Sequence, residues 1–255
     1  MLKNTFIHVP GLGIKSEQRI WSSGVHTWDD LLRGDCPYSF HMRKDTITRC
    51  IEESADHLSS KNPNYFGDLL SFNQFWRFFP EFRESTAYLD IETTGLDSWS
   101  DKITTIALYD GKSIFTYVQG RNLDEFKNDI QRYKVLVTYN GRCFDVPFLE
   151  CYFGIKLDQV HIDLRYFLRN LGYIGGLKGC ERKAGLDRRG LDGIDGYSAV
   201  LLWNDYQRSR NPKSLETLLA YNIQVKRIPR CRHARSHLAL YAPSKKSHLY
   251  GGDQG

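Results

Sequence analysis

Asp90 and Glu92 stand two apart in the run Ala87-Tyr88-Leu89-Asp90-Ile91-Glu92-Thr93-Thr94-Gly95-Leu96. Tyr88, Leu89 and Ile91 read as strand and Gly95 ends it, so the two carboxylates leave one face side by side. Acids crowded in this way repel unless a proton or a cation sits between them. A hard divalent ion with oxygen ligands, Mg²⁺ or Mn²⁺, relieves that cost. The plainer reading of an isolated Asp-x-Glu is a half-exposed strand with two solvated acids. A second acid-bearing segment weighs against it: Leu136-Val137-Thr138-Tyr139-Asn140-Gly141-Arg142-Cys143-Phe144-Asp145-Val146-Pro147-Phe148-Leu149. Val135 to Tyr139 reads as a buried strand and Asn140-Gly141 as a turn. Asp145 then falls among Phe144, Val146 and Phe148, a poor place for an unpaired acid. Taken alone, it also suits a helix cap or a turn.

The elements that must position these acids can be read around them. Further strands are expected over Ile103 to Tyr109 and Ser113 to Val118, joined by Asp110-Gly111, a strong hairpin signal that makes them antiparallel. Helices are expected over Leu123 to Tyr133, Asp163 to Leu171, Tyr197 to Arg208 and Ser214 to Gln224, which gives a mixed α/β sheet. Residues 36–84 read as helical: Cys50 to Leu58 has helical spacing, Asn62-Pro63-Asn64 breaks it, and Phe66 to Phe82 is strongly aromatic. That stripe fits a helix packed on the sheet better than a base-stacking surface, with Pro80 ending it. Gly175-Gly176-Leu177-Lys178 and Arg182-Lys183 read as flexible and basic.

Together the two acidic segments resemble motifs I and II of the DEDD superfamily of 3′→5′ exonucleases, which have a ribonuclease-H-like fold. The Tyr-Asn-Gly-x-x-Phe-Asp-x-Pro-Phe-Leu pattern is similar to the proofreading domains of B-family DNA polymerases. His161-Ile162-Asp163-Leu164-Arg165, Gly175 to Arg182 and Leu215 to Gln224 extend the similarity to the YprB-type exonuclease domain, over about residues 85–224. The resemblance implies an α/β, ribonuclease-H-like mixed sheet flanked by helices, behind a small helical region, and two-metal phosphodiester hydrolysis with two Mg²⁺ or Mn²⁺ ions. It makes Asp90, Glu92 and Asp145 metal ligands and catalytic residues, and Tyr221 the residue that orients water. Thr93, Asn140, Lys178 and Arg182 are expected at the nucleic acid, with an ordinary solvated surface the equal alternative for Lys178 and Arg182. Asp163 helps to hold the site or caps the helix that begins near Leu164.

The family pattern places an acid four residues after that tyrosine, where this chain has Val225, which cannot bind a metal. Beyond it the character changes. Pro229 interrupts the helix, and Tyr221 to Gly255 holds seven Lys/Arg against one acid, Asp253. A slip of the coding frame near Gln224 would account for both.

The net charge of +5 belongs to that tail, since the first 220 residues carry 28 Lys/Arg against 29 Asp/Glu. The total charge is therefore little guide to nucleic-acid affinity, which must come from local patches. A hydrophobic content of 41% with 13% aromatics points to a folded chain. No apolar run is long enough to span a bilayer and no charged-then-apolar leader opens the sequence, so a cytoplasmic protein without a membrane partner is expected. Cysteines 36, 50, 143, 151, 180 and 231 lack zinc spacing and read as free thiols. Cys143 is expected to pack behind its motif.

Residues 1–35 form a unit of their own. Gly11-Leu12-Gly13-Ile14-Lys15 precedes a short helix, and Thr27-Trp28-Asp29-Asp30 opens another with Thr27 as N-cap and Asp30 at the capping-box position. The string resembles a helix-hairpin-helix element, which would offer the Gly11 and Gly13 amides and Lys15 to a phosphate. Packing glycines are the alternative. The organisation expected is thus a helical region over 1–84, an exonuclease domain over 85–224 and a basic, irregular tail over 225–255.

Three readings follow. The first is a 3′→5′ exonuclease acting on single-stranded or 3′-ended DNA, with RNA the lesser alternative. The second is a catalytically impaired nucleic-acid-binding protein of the same fold, disabled by Val225. The third is a scaffold whose N-terminal unit contacts proteins.

Overall fold

A computed structural model of the chain describes residues 1–34, 44–183, 185 and 195–224. Val225 and the basic tail lie outside them, as do Cys36 and Cys231.

The N-terminal region is built from short helices: α1 (Ile14–Ser22), α2 (Trp28–Arg33), α3 (Lys44–Ser59), α4 (Pro63–Leu69) and α5 (Phe79–Phe82). At α2 the expected capping box forms, with Thr27 Oγ1 accepting from the Asp30 amide and the Asp30 carboxylate accepting from the Thr27 amide. The aromatic stripe is not one helix. Residues Phe72–Phe78 wind as a 3₁₀ segment between α4 and α5, and Pro80 sits at the start of α5 rather than at its end. The first turn of a helix tolerates a residue without an N–H, so a proline there starts a turn as readily as it ends one.

Five strands follow, β1 (Thr86–Thr93), β2 (Ile103–Tyr109), β3 (Ile114–Val118), β4 (Val135–Thr138) and β5 (Val160–Asp163), in the order β3-β2-β1-β4-β5. β2 lies between β1 and β3 and runs antiparallel to both, while β4 and β5 run parallel to β1. The β2–β3 turn is set by Asp110, whose Oδ1 accepts the amides of Lys112 and Ser113, and by Gly111 at φ +94°. Between the strands come α6 (Phe126–Asp129) and α7 (Asp145–Phe153). After β5 come α8 (Leu164–Asn170), α9 (Gly176–Lys183), α10 (Gly196–Ser209) and α11 (Pro212–Asn222). The helix expected over Leu123 to Tyr133 is three short helical turns around α6.

Alternation along β1 and β4 divides the apolar residues between two faces. Ala87, Leu89, Ile91 and Leu136 pack with Phe126, Ile130, Phe148 and Leu149 on one side. Tyr88, Val135 and Val137 pack on the other with Phe66, Phe78, Phe82 and the N-terminal helices, in one continuous cluster. Asp90 and Glu92 therefore share the face of Tyr88. α10 and α11 form a third cluster around Trp203 and Leu218 and pack on β1. A buried ion pair ties the N-terminal region together, with Arg77 Nη2 2.8 Å from Glu17 Oε2 and Glu17 Oε1 accepting the Phe6 amide. No helix among the described residues is long and apolar enough to cross a membrane.

Candidate active site

β1 carries Asp90 and Glu92 on one face, both half-buried, and a register shift against β2 falls between Glu92 and Thr93. Such bulges re-aim a side chain at a strand end. β1 is longer than its parallel neighbour: it pairs β4 only from Thr86 to Tyr88. Beyond that point the sheet leaves an open flank, and Asp145 fills it. Its Oδ1 accepts the Ile91 amide at 3.2 Å, which sets the third carboxylate beside the other two.

The turn that delivers Asp145 is fixed by its neighbours. Asn140 adopts a left-handed conformation (φ +67°), which its short amide side chain tolerates. A Cβ on Gly141 would collide with the Thr138 side chain, so glycine is required there. Asp163 accepts the amides of Asn140 (2.8 Å) and Arg142 (3.1 Å). The same carboxylate caps α8 by accepting the Arg165 amide at 3.0 Å. Both roles expected of Asp163 are thus filled by one side chain. Behind the turn, Thr138 Oγ1 bonds His161 Nε2 at 2.8 Å, and burial holds this histidine neutral by lowering its pKa to about 4.

Electrostatics mark the three acids. Burial first, then the charges of Asp90 and Asp145, push the Glu92 carboxyl well above the usual carboxylate range. Asp145 is raised in the same way, by burial and then by Asp90, despite the Ile91 amide that favours its charged form. Among the described residues no group of three or more His, Cys, Asp and Glu side chains is drawn together as a closed metal cage. The three carboxylates sense one another's charge without converging to that degree. Without a cation such acids relieve their charge by taking up protons.

α11 adds a contact the sequence reading missed. Asn222 is fully buried, and its Nδ2 donates to Asp90 Oδ2 at 3.0 Å and to the Asp90 carbonyl at 3.2 Å. Its Oδ1 has no hydrogen-bond partner among the described residues. The signal was the position itself: Asn222 directly follows Tyr221, the residue expected to orient water. Tyr221 is half-buried against the α10–α11 cluster. The donor set of three carboxylates and a buried amide oxygen fits a hard divalent cation, and Asp90, Glu92 and Asp145 are the residues that would hold it.

The remaining candidates lie at varied distances from this chemistry. Thr93 is buried and its hydroxyl donates to the Gly95 carbonyl, which makes it part of the turn after β1. Asn140 accepts at Oδ1 from Arg165 Nη1 on the outer face of its turn. Lys178 and Arg182 sit on α9, a formed helix where a flexible loop was expected; burial of Cys180 and Glu181 anchors it despite its glycines. The Lys178 charge lies near Asp195, the N-cap of α10. Gly11, Gly13 and Lys15 are exposed, with Gly11 at φ +80° and Gly13 capping α1. Among the described residues, the 3₁₀ turn Leu2–Asn4 lies before them. Cys143 is exposed, not packed behind its motif, because the turn faces outward there.

A sheet of this strand order, with acids on its central strand and helices on both faces, defines a ribonuclease-H-like α/β protein. The family model of the RNase_H superfamily matches residues 87–225, and the chain belongs to that superfamily. A comparison with curated proteins gives no match. Among solved structures, the chain is similar to the family B DNA polymerase of the hyperthermophilic archaeon Pyrobaculum calidifontis. The identity is 17% and the TM-score 0.47, over 61% of this chain and 24% of the polymerase, so the match spans about a quarter of that protein's length.

Proposed function

We propose that the protein is a metal-dependent 3′→5′ exonuclease of the YprB type, hydrolysing phosphodiester bonds of single-stranded or 3′-ended nucleic acid, DNA in preference to RNA. The observation that carries this reading is the placement of Asp90, Glu92 and Asp145 within electrostatic reach of one another, with Glu92 and Asp145 raised by burial and then by the neighbouring acids. Membership of the RNase_H superfamily supports it.

Asp90, Glu92 and Asp145 would hold two Mg²⁺ or Mn²⁺ ions. What such ions supply when bound is a water nucleophile of lowered pKa and neutralisation of charge on the leaving 3′-oxygen. The chain's own contribution is placement. Asn222 fixes the Asp90 carboxylate, the Ile91 amide fixes Asp145, and Tyr221 orients the attacking water. Asn140, Lys178 and Arg182 line the approach of the strand. The N-terminal Gly11-Leu12-Gly13 turn and Lys15 would add a phosphate contact of the helix-hairpin-helix kind, independent of sequence.

Val225 favours a second reading, a strand-binding protein with an impaired centre, because the family pattern has an acid at that position. Single-turnover cleavage of a 3′-labelled DNA strand in Mn²⁺ separates the two. The first reading expects shortening from the 3′ end, lost in Asp90→Ala; binding without shortening favours the second.

A further inference from the structure

The aromatic stripe of residues 66–82 divides in the structure. Phe66, Phe78 and Phe82 are completely buried, whereas Phe72 keeps 46% of its surface exposed. Phe72 opens the 3₁₀ segment before α5, where Ser71 Oγ bonds the Asn73 side chain at 2.6 Å and shapes the turn. Two residues from elsewhere in the chain contact its ring. The Arg142 guanidinium lies 5.0 Å from the ring centroid, and the Tyr166 ring meets it edge-on at 5.2 Å and 75°.

We propose that Phe72, Tyr166, Arg142 and Arg165 form a stacking and phosphate-gripping surface for single-stranded nucleic acid, leading to the three carboxylates. This inference rests on the function proposed above and assigns a route for the strand. Three separate segments meet here: the N-terminal region, the turn before Asp145 and the first turn of α8. Arg142 is only three residues ahead of Asp145 on a turn locked by Asp163. The surface and the acids are therefore held in register by one piece of backbone.

Charge decides what fits. Arg142 and Arg165 are exposed, and neither is ion-paired among the described residues. The oxygens of the adjacent Asp163 accept the backbone amides of Asn140, Arg142 and Arg165 rather than either guanidinium. Two cations beside an exposed aromatic face match a strand that offers phosphate and base together. A guanidinium already lying over a ring needs little further ordering to sandwich a base.

The test uses the full chain, a fluorescein-labelled single-stranded oligothymidylate and fluorescence anisotropy in EDTA, so that cleavage does not intervene. Phe72→Ala should weaken binding roughly 10-fold or more, the loss expected of one stacked base, while Phe72→Trp restores it. Arg142→Ala should weaken binding and lower the salt slope by about one. Unchanged unfolding temperatures would exclude a folding effect. If the wild-type chain binds and Phe72→Ala binds equally well, this surface is overturned and the nuclease reading stands. If Phe72→Ala leaves strand binding intact but disrupts contact with a protein, the surface belongs to a protein partner and the inference fails. If the wild-type chain binds no strand at all, the functional reading falls with it.

Discussion

Two buried sets of charge lie within one molecule and are treated in opposite ways. Glu17 and Arg77, 1% and 5% exposed, neutralise each other across 2.8 Å. Their remaining hydrogen-bonding capacity is met by the Phe6 amide, Thr5 and Gln74. Asp90, Glu92 and Asp145 have acids for neighbours, and what donates to them includes neutral amides, Asn222 from α11 to Asp90 and the Ile91 amide to Asp145. The first set is closed and the second is open. A protein that can build a satisfied buried pair in one place and leaves like charges together in another is storing electrostatic free energy where a cation would release it. Perturbed carboxyls concentrate at functional sites for this reason.

The largest effect should come from the open set. Asp90→Ala should reduce Mn²⁺-dependent release of nucleotides from a 3′ end by several kcal/mol of transition-state stabilisation, on the order of 1,000-fold, measured in single turnover. The same substitution should stabilise the protein without metal in thermal unfolding, because it removes repulsion. A variant that loses stability instead would place Asp90 with the structural acids. Next comes the closed set. Arg77→Met leaves the Glu17 charge buried without a counter-ion, and should cost about 3–5 kcal/mol in denaturant unfolding. The double variant Glu17→Leu/Arg77→Met should recover most of that loss, since the desolvation cost disappears with both charges.

Much of this contrast was legible from residue order alone. The alternation of β1 put Asp90 and Glu92 on one face, and the Asn140-Gly141 turn located the start of the segment carrying Asp145. What escaped was set by tertiary packing. β5 is only four residues with a polar His161 in it, too short for periodicity to register, and it is a strand because β4 offers it a ladder. α9 carries Gly176 and Gly179, poor helix formers, yet Cys180 and Glu181 bury and hold it. The stripe of aromatics reads as one helix, but Phe72 points outward where Phe78 goes in, a distinction no helical period contains. Asn222 gave no chemical cue of its own, since an asparagine acquires its role only from the acid it meets.

A smaller effect separates burial without a partner from burial with one. His8 is 2% exposed, packed at a tilt against Trp28 and edge-on against Phe66, and both ring nitrogens lack hydrogen-bond partners among the described residues. Burial first, then the Arg77 charge, lowers its pKa from 6.5 to about 4. The unfolded chain therefore takes up a proton near pH 6.5 and the folded chain only near 4. This contribution to stability is complete above the first value and is lost as pH falls through the window. The loss should be about 3 kcal/mol. His8→Phe should flatten the fall in denaturant midpoint over that window, and an unchanged slope would assign the acid sensitivity elsewhere. Glu92 and Asp145 act with the opposite sign. Raised above the unfolded carboxylate range, they make the metal-free protein less stable as pH rises beyond that range, and Mn²⁺ should restore more stability at higher pH.

The last and smallest effect tests whether the open set is organised or merely crowded. Asn222 is neutral, so its removal leaves the charge balance of the three acids unchanged. It does release the Asp90 carboxylate from the 3.0 Å bond that orients it. Partners of this kind typically contribute 10–100-fold in metal affinity, so calorimetry of Asn222→Ala should show Mn²⁺ binding weakened by roughly 10-fold. Asn222→Asp should weaken the metal-free fold by adding a fourth like charge, and regain stability on adding Mn²⁺ by more than wild type does. If Asn222→Ala binds Mn²⁺ as wild type does, then Asp90 is held by β1 alone, and α11 is a cover rather than part of the site. Weakened binding with an unchanged metal-free unfolding temperature would mean that an uncharged side chain sets the geometry in which the three charges can cooperate.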